Sequence, residues 1–374
     1  MQNKKQNKIV NFEIDNIDPL GQGVSKIDNK IVFIPKTLPG EKGQATITKK
    51  KGKVFFAEAN KIETAAEKRI EAECPHYDQC SGCSFLHTDY ESELNFKKIT
   101  LERAFAQLTP TQVQVIGAKE RFHYRNRVQL HYHKNSKTIG QHKRMSHYIV
   151  ETKNCLLGTP EVQEKLQEVY DENFWSKLSN QPPTGHLEIY KDGESASISY
   201  NQNYATGGFT QVNEQMNIEL NEYIFQIMNS AEPKNCVELF GGNGNISRKF
   251  KEQNPDFKRI LIDIYPHQIS SDDDLFLNLN IYKTEISEFK SSLSKSFSKI
   301  DCLIIDPPRS GYKELVNFLR EFEPKEIIYV SCDHQTLRRD LSQVEGYEFK
   351  SITLIDLFPS THHFETVIHL VKKQ

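Results

Sequence analysis

The N-terminal part of the chain alternates short apolar runs with turn residues. Ile31-Val32-Phe33-Ile34, Ala45-Thr46-Ile47 and Val54-Phe55-Phe56-Ala57 are separated by Gly21, Gly23, Pro39-Gly40 and Gly52, a pattern of short strands joined by tight turns. Five or so strands packed into so short a stretch predict a small barrel of OB type, an architecture that takes up single-stranded nucleic acid. A mixed segment follows. Within it Leu86–Gln107 has the period of a helix, with Leu94, Ile99, Leu101 and Phe105 on its apolar side. Val128, Leu130 and Tyr132 then alternate as a strand. From residue 207 nearly continuous apolar runs, Cys236–Phe240, Ile260–Ile262, Leu303–Ile305 and Ile327–Val330, alternate with polar stretches of helical length. Such strands belong in a parallel sheet covered by helices on both faces. Thr366–Val371 closes the series as a strand paired with Leu354–Leu357. The expected fold class is therefore α/β plus a small all-β part: a barrel over 1–63, a mixed central domain over 64–206 and a Rossmann-like domain over 207–374. A helix around 87–117 is expected to pack on the last of these.

Composition narrows the function classes. Apolar residues make up 37% and charged residues 26% of the 374, as in a folded globular protein. No apolar run is long enough to span a bilayer, and Met1-Gln2-Asn3-Lys4-Lys5 lacks the apolar core of a secretory signal, so a cytoplasmic protein without a membrane partner is expected. The net charge of −2 conceals an asymmetry: residues 1–62 hold 12 lysines against 6 acids, and 119–150 hold 8 Lys/Arg against Glu120 alone. Two basic stretches on an acidic body suit a partner with a phosphate backbone. Lys49, Lys50, Lys51 and Lys53 form a basic hairpin on the barrel. Arg121, Arg125 and Arg127 interleave with aromatic residues, a pairing that binds phosphates and stacks bases. Seven cysteines, an odd number, do not read as a disulfide framework and point to metal binding or catalysis.

In a parallel sheet the chemistry lies just beyond the carboxyl ends of the strands. The first such exit reads Glu238-Leu239-Phe240-Gly241-Gly242-Asn243-Gly244-Asn245. Its glycines admit a ligand close to the backbone, but the third glycine of a dinucleotide loop is missing. The E-x-x-x-G-x-G form resembles the S-adenosylmethionine loop of class I methyltransferases. Asp263, ending the next strand, is placed to accept from ribose hydroxyls. Asp306-Pro307-Pro308-Arg309 follows the third strand, with arginine where an amino-methylating enzyme carries an aromatic residue. Cys332 leaves the fourth strand on the cofactor side, the position of a nucleophile. Cys236 and Cys302, at strand beginnings, read as buried hydrophobes. Glu365 opens the last strand between histidines and apolar residues, a setting for a base.

Taken together these motifs resemble the RNA uracil-C5 methyltransferase family over nearly the whole chain. Gly21-x-Gly23, Val32-Phe33 and Leu38-Pro39-Gly40-Glu41 are similar to its TRAM domain, an OB-type RNA-binding module. Cys74-x5-Cys80-x2-Cys83 with Cys155 is similar to its four ligands for a [4Fe–4S] cluster, although spacing alone also allows structural zinc. Phe209-Thr210-Gln211-Val212-Asn213 resembles its F-x-Q-x-N motif, in which the glutamine meets the cofactor. Phe240, Gly242, Gly244, Asn245, Asp263, Asn280 and Asp306 fall on further cofactor positions. The resemblance implies S-adenosylmethionine as cofactor, Cys332 as nucleophile and Glu365, in F-P-x-T-x-H-x-E, as general base. It implies RNA as partner, with 23S ribosomal RNA favoured over the transfer RNA T-loop, and a monomer. Three departures stand out: His334 replaces a proline after Ser-Cys-Asp, Gly241 replaces a cysteine, and Tyr265–Leu279 is short and acidic. Two other functions fit the motifs less well. Cytosine-C5 methylation would call for a cysteine at Pro308. A non-catalytic RNA-binding factor would have no use for the intact Gln211, Asp263, Cys332 and Glu365.

Overall fold

The computed structural model describes residues 8–144, 146–202, 210–264, 274–294 and 296–374. Phe209 and Tyr265–Asp273, both named above, lie outside the described residues. Six strands make the first sheet: β1 (Ile9–Glu13), β2 (Asn16–Ile17), β3 (Gln22–Ile27), β4 (Lys30–Pro35), β5 (Lys42–Lys51) and β6 (Val54–Thr64), in the order β1-β5-β6-β4-β3-β2. Phe12, Ile14, Val32, Ile34, Ala45 and Ala57 fill its core. Gly52, at φ 61°, turns the β5–β6 hairpin, so Lys49, Lys50, Lys51 and Lys53 stand exposed around it. At Gly43 a side chain would strike the Lys61 carbonyl oxygen at 2.0 Å, and only glycine lets β5 and β6 approach there.

The polar stretch after the barrel holds the helix α1, Tyr90–Phe105. It starts later than the apolar spacing suggested because Asp89 accepts the Ser92 amide at 2.7 Å and fixes the first turn. A short strand β7 (Val113–Ile116) follows. A second sheet contains β8 (Arg127–His133), β9 (Thr138–His142), β10 (Ile149–Val150), β11 (Thr184–Asp192) and β12 (Ser195–Tyr200), ordered β10-β9-β8-β11-β12. Helices α2 (Pro160–Glu168) and α3 (Phe174–Lys177) cover it, burying Val162, Leu166 and Phe174 against Val128, Leu130, Leu187 and Ile189.

After α4 (Glu214–Ala231) strands and helices alternate: β13 (Asn235–Leu239), α5 (Arg248–Gln253), β14 (Lys258–Asp263), β15 (Leu275–Asn278), α6 (Ile286–Leu293), β16 (Cys302–Ile305), α7 (Leu315–Phe322), β17 (Glu326–Ser331), α8 (His334–Leu341), β18 (Tyr347–Ile355) and β19 (Glu365–Lys372). They build an eight-stranded sheet ordered β15-β14-β13-β16-β17-β19-β18-β7. Strands β15 through β17 pair parallel, and β19 inserts antiparallel between β17 and β18. The closing hairpin is longer than Leu354–Leu357 suggested, because β18 begins at Tyr347 and carries a bulge between Phe349 and Ser351 that breaks its alternation. The strand order reverses at β13, which puts the ligand crevice of such a sheet at its carboxyl end.

The chain divides into two compact units. The first contains Met1–Lys97, Ala118–Glu214 and Phe358–His363, and the second Lys98–Gly117, Gln215–Leu357 and Phe364–Gln374. The barrel and the central sheet thus share one unit, while the end of α1 and β7 join the eight-stranded sheet. No described helix is long and apolar enough to cross a membrane.

Candidate functional site

In the second unit the strand exits converge on a polar site. The turn after β13 begins with Phe240 at φ 59° and continues through Gly242 and Gly244, both at positive φ. A side chain at Gly244 would meet Arg259 Nη1 at 2.8 Å and Leu261 at 2.9 Å, so the loop needs glycine where it folds over β14. Asp263, at the end of β14, accepts the Gly242 amide at 3.0 Å and the Ile264 amide at 2.6 Å. The Phe240 ring lies 5.3 Å from Tyr282 and 5.9 Å from Tyr312, and the Tyr282 hydroxyl reaches Ser310 Oγ at 2.7 Å. Asn280 opens the turn that carries Tyr282 and accepts its amide at 3.2 Å. The Asn245 side chain turns towards α4, donating to Asn217 at 3.0 Å and accepting from Asn221 at 3.3 Å.

Beneath this loop is a buried network that sequence reading did not single out. Glu238 is 1% exposed and accepts from Ser247. Arg259 donates to Ser247 at 2.9 Å and to the Gly244 carbonyl at 3.1 Å, and pairs with Asp274 at 2.6 Å. Burial pushes the Glu238 carboxyl up to about 7, against the opposing pull of Ser247 and Arg259. Asp274 belongs to the acidic stretch Tyr265–Leu279, and no local spacing ties it to Arg259.

Cys332 leaves β17 immediately before α8. Asp333 caps that helix through the amides of Gln335 and Thr336, and the His334 ring stacks on Phe364 at 5.5 Å, with 12° between the planes. The histidine that departs from the family pattern thus packs on Phe364, the residue preceding Glu365 in sequence. Burial pushes the Cys332 thiol up to about 12, reinforced by the negative charge of Glu365 and opposed by Arg309. Glu365 is 5% exposed, and its Oε2 is buried with no hydrogen-bond partner among the described residues. Burial and then Asp306 push its carboxyl well above the usual range, with Arg309 opposing. Asp306 is itself pushed up to about 7 by burial and by Glu238. Thiol, carboxyls and one guanidinium therefore sense one another in a buried setting. Perturbed groups gathered in this way mark a reactive site. By contrast Cys236 and Cys302 are fully buried neighbours at the far ends of β13 and β16.

The first unit holds the other candidate residues. Cys74, Cys80, Cys83 and Cys155 line one cavity of about 60 Å³ together with Tyr77 and Arg125, and none is in a disulfide. Tight turns assemble it: the Tyr77 amide donates to Cys74 O at 3.1 Å and the Cys80 amide to His76 O at 2.8 Å. Burial raises the thiols of Cys74, Cys80 and Cys83, and the negative charge of Cys155 adds to each. Among the described residues no three His, Cys, Asp or Glu side chains converge as ligands of a single ion. Four thiols around one cavity are a donor set that either a structural zinc or an iron–sulfur cluster can use.

Arg121 and Arg127 of the basic stretch, expected to contact RNA, are engaged within the protein. Arg121 donates to Thr88 O, Phe85 O and Glu93, each within 2.9 Å. Arg127 sits 3.4 Å from Glu188 and donates to Thr210 at 3.1 Å. Arg125 lines the cysteine cavity. These partners are remote in sequence, so charge counting along the chain could not reveal them. The lysines of the β5–β6 hairpin remain exposed. Gln211 lies in the first unit, where its carbonyl accepts from Asn126 at 3.0 Å.

Comparison with known proteins finds matches for both ends of the chain. Residues 191–373 match the family model described as tRNA (Uracil-5-)-methyltransferase, and residues 4–60 match the TRAM domain. The chain is 27% identical to the 23S rRNA (uracil(1939)-C(5))-methyltransferase RlmD of Shewanella sediminis, covering 96% of this chain and 95% of that one. It is 26% identical to the protein of the same name from Shewanella woodyi, with the same coverage. The crystal structure of Pyrococcus abyssi tRNA (uracil-54, C5)-methyltransferase in complex with S-adenosyl-L-homocysteine superposes with a TM-score of 0.73 at 18% identity, over 96% of this chain and 99% of that one. That likeness shows a shared fold.

Proposed function

The chain belongs to the RNA uracil-C5 methyltransferase family, and on that premise we propose which of its residues carry the reaction and which RNA receives the methyl group. Bound S-adenosylmethionine supplies an electrophilic methyl group. The target, carbon 5 of uracil, is a weak nucleophile, and the protein must enrich it. In the proposed sequence the Cys332 thiolate adds to carbon 6, forming a sulfur–carbon bond and placing electron density on carbon 5. Once carbon 5 carries the methyl group, Glu365 takes the proton from that carbon. The electrons of the broken C–H bond then form the 5,6 double bond as the Cys332 thiolate departs.

The observation that carries this reading is the unpartnered, buried Glu365 oxygen beside a thiol at a strand exit. Arg309 is the cation that opposes the upward pull of burial on both groups. It would favour the thiolate for addition and the carboxylate for proton abstraction. Phe240, Gly242, Gly244, Asn245, Asp263, Asn280 and Asp306 would bind the cofactor, together with Gln211. Cys74, Cys80, Cys83 and Cys155 would hold a [4Fe–4S] cluster with a structural or RNA-positioning role, because methyl transfer moves no electron through it. Brown protein absorbing broadly near about 400 nm, with iron in proportion, is expected on anaerobic purification. Colourless protein with stoichiometric zinc would reverse that assignment.

A stacked helix hides carbon 5, so the uridine must be flipped out or already unpaired. Lys49, Lys50, Lys51 and Lys53 would hold flanking phosphates. The substrate proposed is 23S ribosomal RNA, after the named activity of the Shewanella relatives, acted on by a cytoplasmic monomer. Mapping 5-methyluridine in ribosomal and transfer RNA from cells with and without the gene tests this. A single ribosomal site that loses its methyl group is expected. Loss confined to transfer RNA would move the activity to the T-loop.

A further inference from the structure

Three consecutive residues of the first unit touch both the cysteine cavity and the segment that carries Gln211. On the cavity side Arg125 is a lining residue, and its Nε is buried with no hydrogen-bond partner among the described residues. Its amide donates to Leu157 O at 2.6 Å and its carbonyl accepts from Thr159 N at 2.9 Å. Both bonds fall just after Cys155, whose own carbonyl accepts the Gly158 amide at 3.0 Å. On the other side the Asn126 amide donates to Val212 O at 2.9 Å. Asn126 Nδ2 donates to Gln211 O at 3.0 Å and to Glu214 Oε1 at 3.1 Å. Arg127 Nη2 donates to Thr210 Oγ1 at 3.1 Å, and Arg125 forms a β-bridge with Asn213. Backbone bonds of this kind hold two segments in register and leave little slack, so a shift of the Cys155 turn must be carried to residues 210–213 or break the bonds.

We propose that Arg125-Asn126-Arg127 couples the filling of the cysteine cavity to the placement of Gln211, and thereby to affinity for the methyl donor. This rests on the readings above that the cavity holds an iron–sulfur cluster and that Gln211 meets the cofactor. It gives an electron-transfer group a task in a reaction that moves no electrons through it: the cluster keeps a cofactor-binding segment in place. Asn126 and Arg127 are positioning residues in this scheme, acting through Gln211. Coupling between two sites is reciprocal, so the donor side must also stabilise the cluster side.

The test uses full-length protein purified anaerobically, with S-adenosylhomocysteine as the probe. Its affinity is measured by calorimetry before and after iron is stripped by a chelator. The chelator concentration that removes half of the iron is measured with and without the probe. Affinity is expected to fall about ten-fold on stripping, and the probe is expected to raise the chelator midpoint by a similar factor. Asn126→Ala is expected to keep its iron, bind the probe more weakly and lose the midpoint shift. The midpoint shift in the unmodified protein needs no variant, so misfolding of Asn126→Ala would not decide the matter. Equal probe affinity with and without iron, or a chelator midpoint blind to the probe, overturns the coupling. Absence of iron from the purified protein would instead overturn the cluster assignment. A Gln211→Ala protein with unchanged affinity would overturn the cofactor contact.

Discussion

Replacing Glu365 by glutamine separates the two halves of the proposed reaction. The resting site is hostile to charge: with its thiol pushed up to about 12, Cys332 is ionised in about one molecule in 10⁴ at pH 8, a deficit of ~5 kcal/mol. Binding of the uracil and the Arg309 charge must offset that deficit before the thiolate can add. Burial and Asp306 favour the protonated acid at position 365, so glutamine reproduces the shape and neutrality of the resting side chain. Addition to carbon 6 and methylation should therefore proceed. Glutamine cannot take the proton from carbon 5, and loss of a general base costs about 10²–10⁴ in rate. Glu365→Gln should lose turnover by that factor and accumulate a methylated RNA–protein conjugate. The species is read as a band stable on a denaturing gel and by intact mass. Cys332→Ala should give neither product nor conjugate. A Glu365→Gln enzyme that turns over within ten-fold of the original, with no conjugate, would refute the assignment of the base.

Other consequences can be measured separately. Asp306 is pushed up to about 7, so the folded chain holds that proton more tightly than the unfolded one. The associated stability, present below about pH 4, is lost as pH rises to about 7, up to ~4 kcal/mol. Asp306→Asn should raise the Tm more at pH 8 than at pH 5, and an equal gain at both would contradict this. Changing Lys49, Lys50, Lys51 and Lys53 to glutamine should flatten the salt dependence of RNA binding, by about 0.7 in log–log slope for each lost contact to a single strand. An unchanged slope would take the hairpin off the RNA path. Arg259→Gln strands Asp274 and Glu238 without their cation and should cost about 3–5 kcal/mol in denaturant unfolding. A loss below ~1 kcal/mol would show that the network is not structural.

What could be read from the sequence follows from how local each signal is. The parallel strands announce themselves as unbroken apolar runs, and their exits place Phe240, Asp263, Asp306 and Cys332 at one edge without further information. The barrel was legible from its glycines and short alternating runs. Arg121 and Arg127 were not, because Glu93 and Glu188, which neutralise them, are distant in sequence. The Glu238–Ser247–Arg259–Asp274 network was hidden for the same reason: Glu238 stands out as the acid of the glycine loop, but its partners come together only when β13 and β14 lie side by side. A helix around 87–117 was expected against the C-terminal sheet, but that the first half of α1 belongs to the other unit was hidden, since helical periodicity does not say what each turn packs against.

The division of the chain has a consequence for how it can be made. Residues 358–363 complete the first unit, yet the strands on either side of them belong to the second. Neither unit can therefore finish until residues 358–374 have left the ribosome. A gene fragment ending before that point would leave both units incomplete, so expressing this protein as two separately synthesised halves should fail even though the N-terminal barrel is complete early in translation.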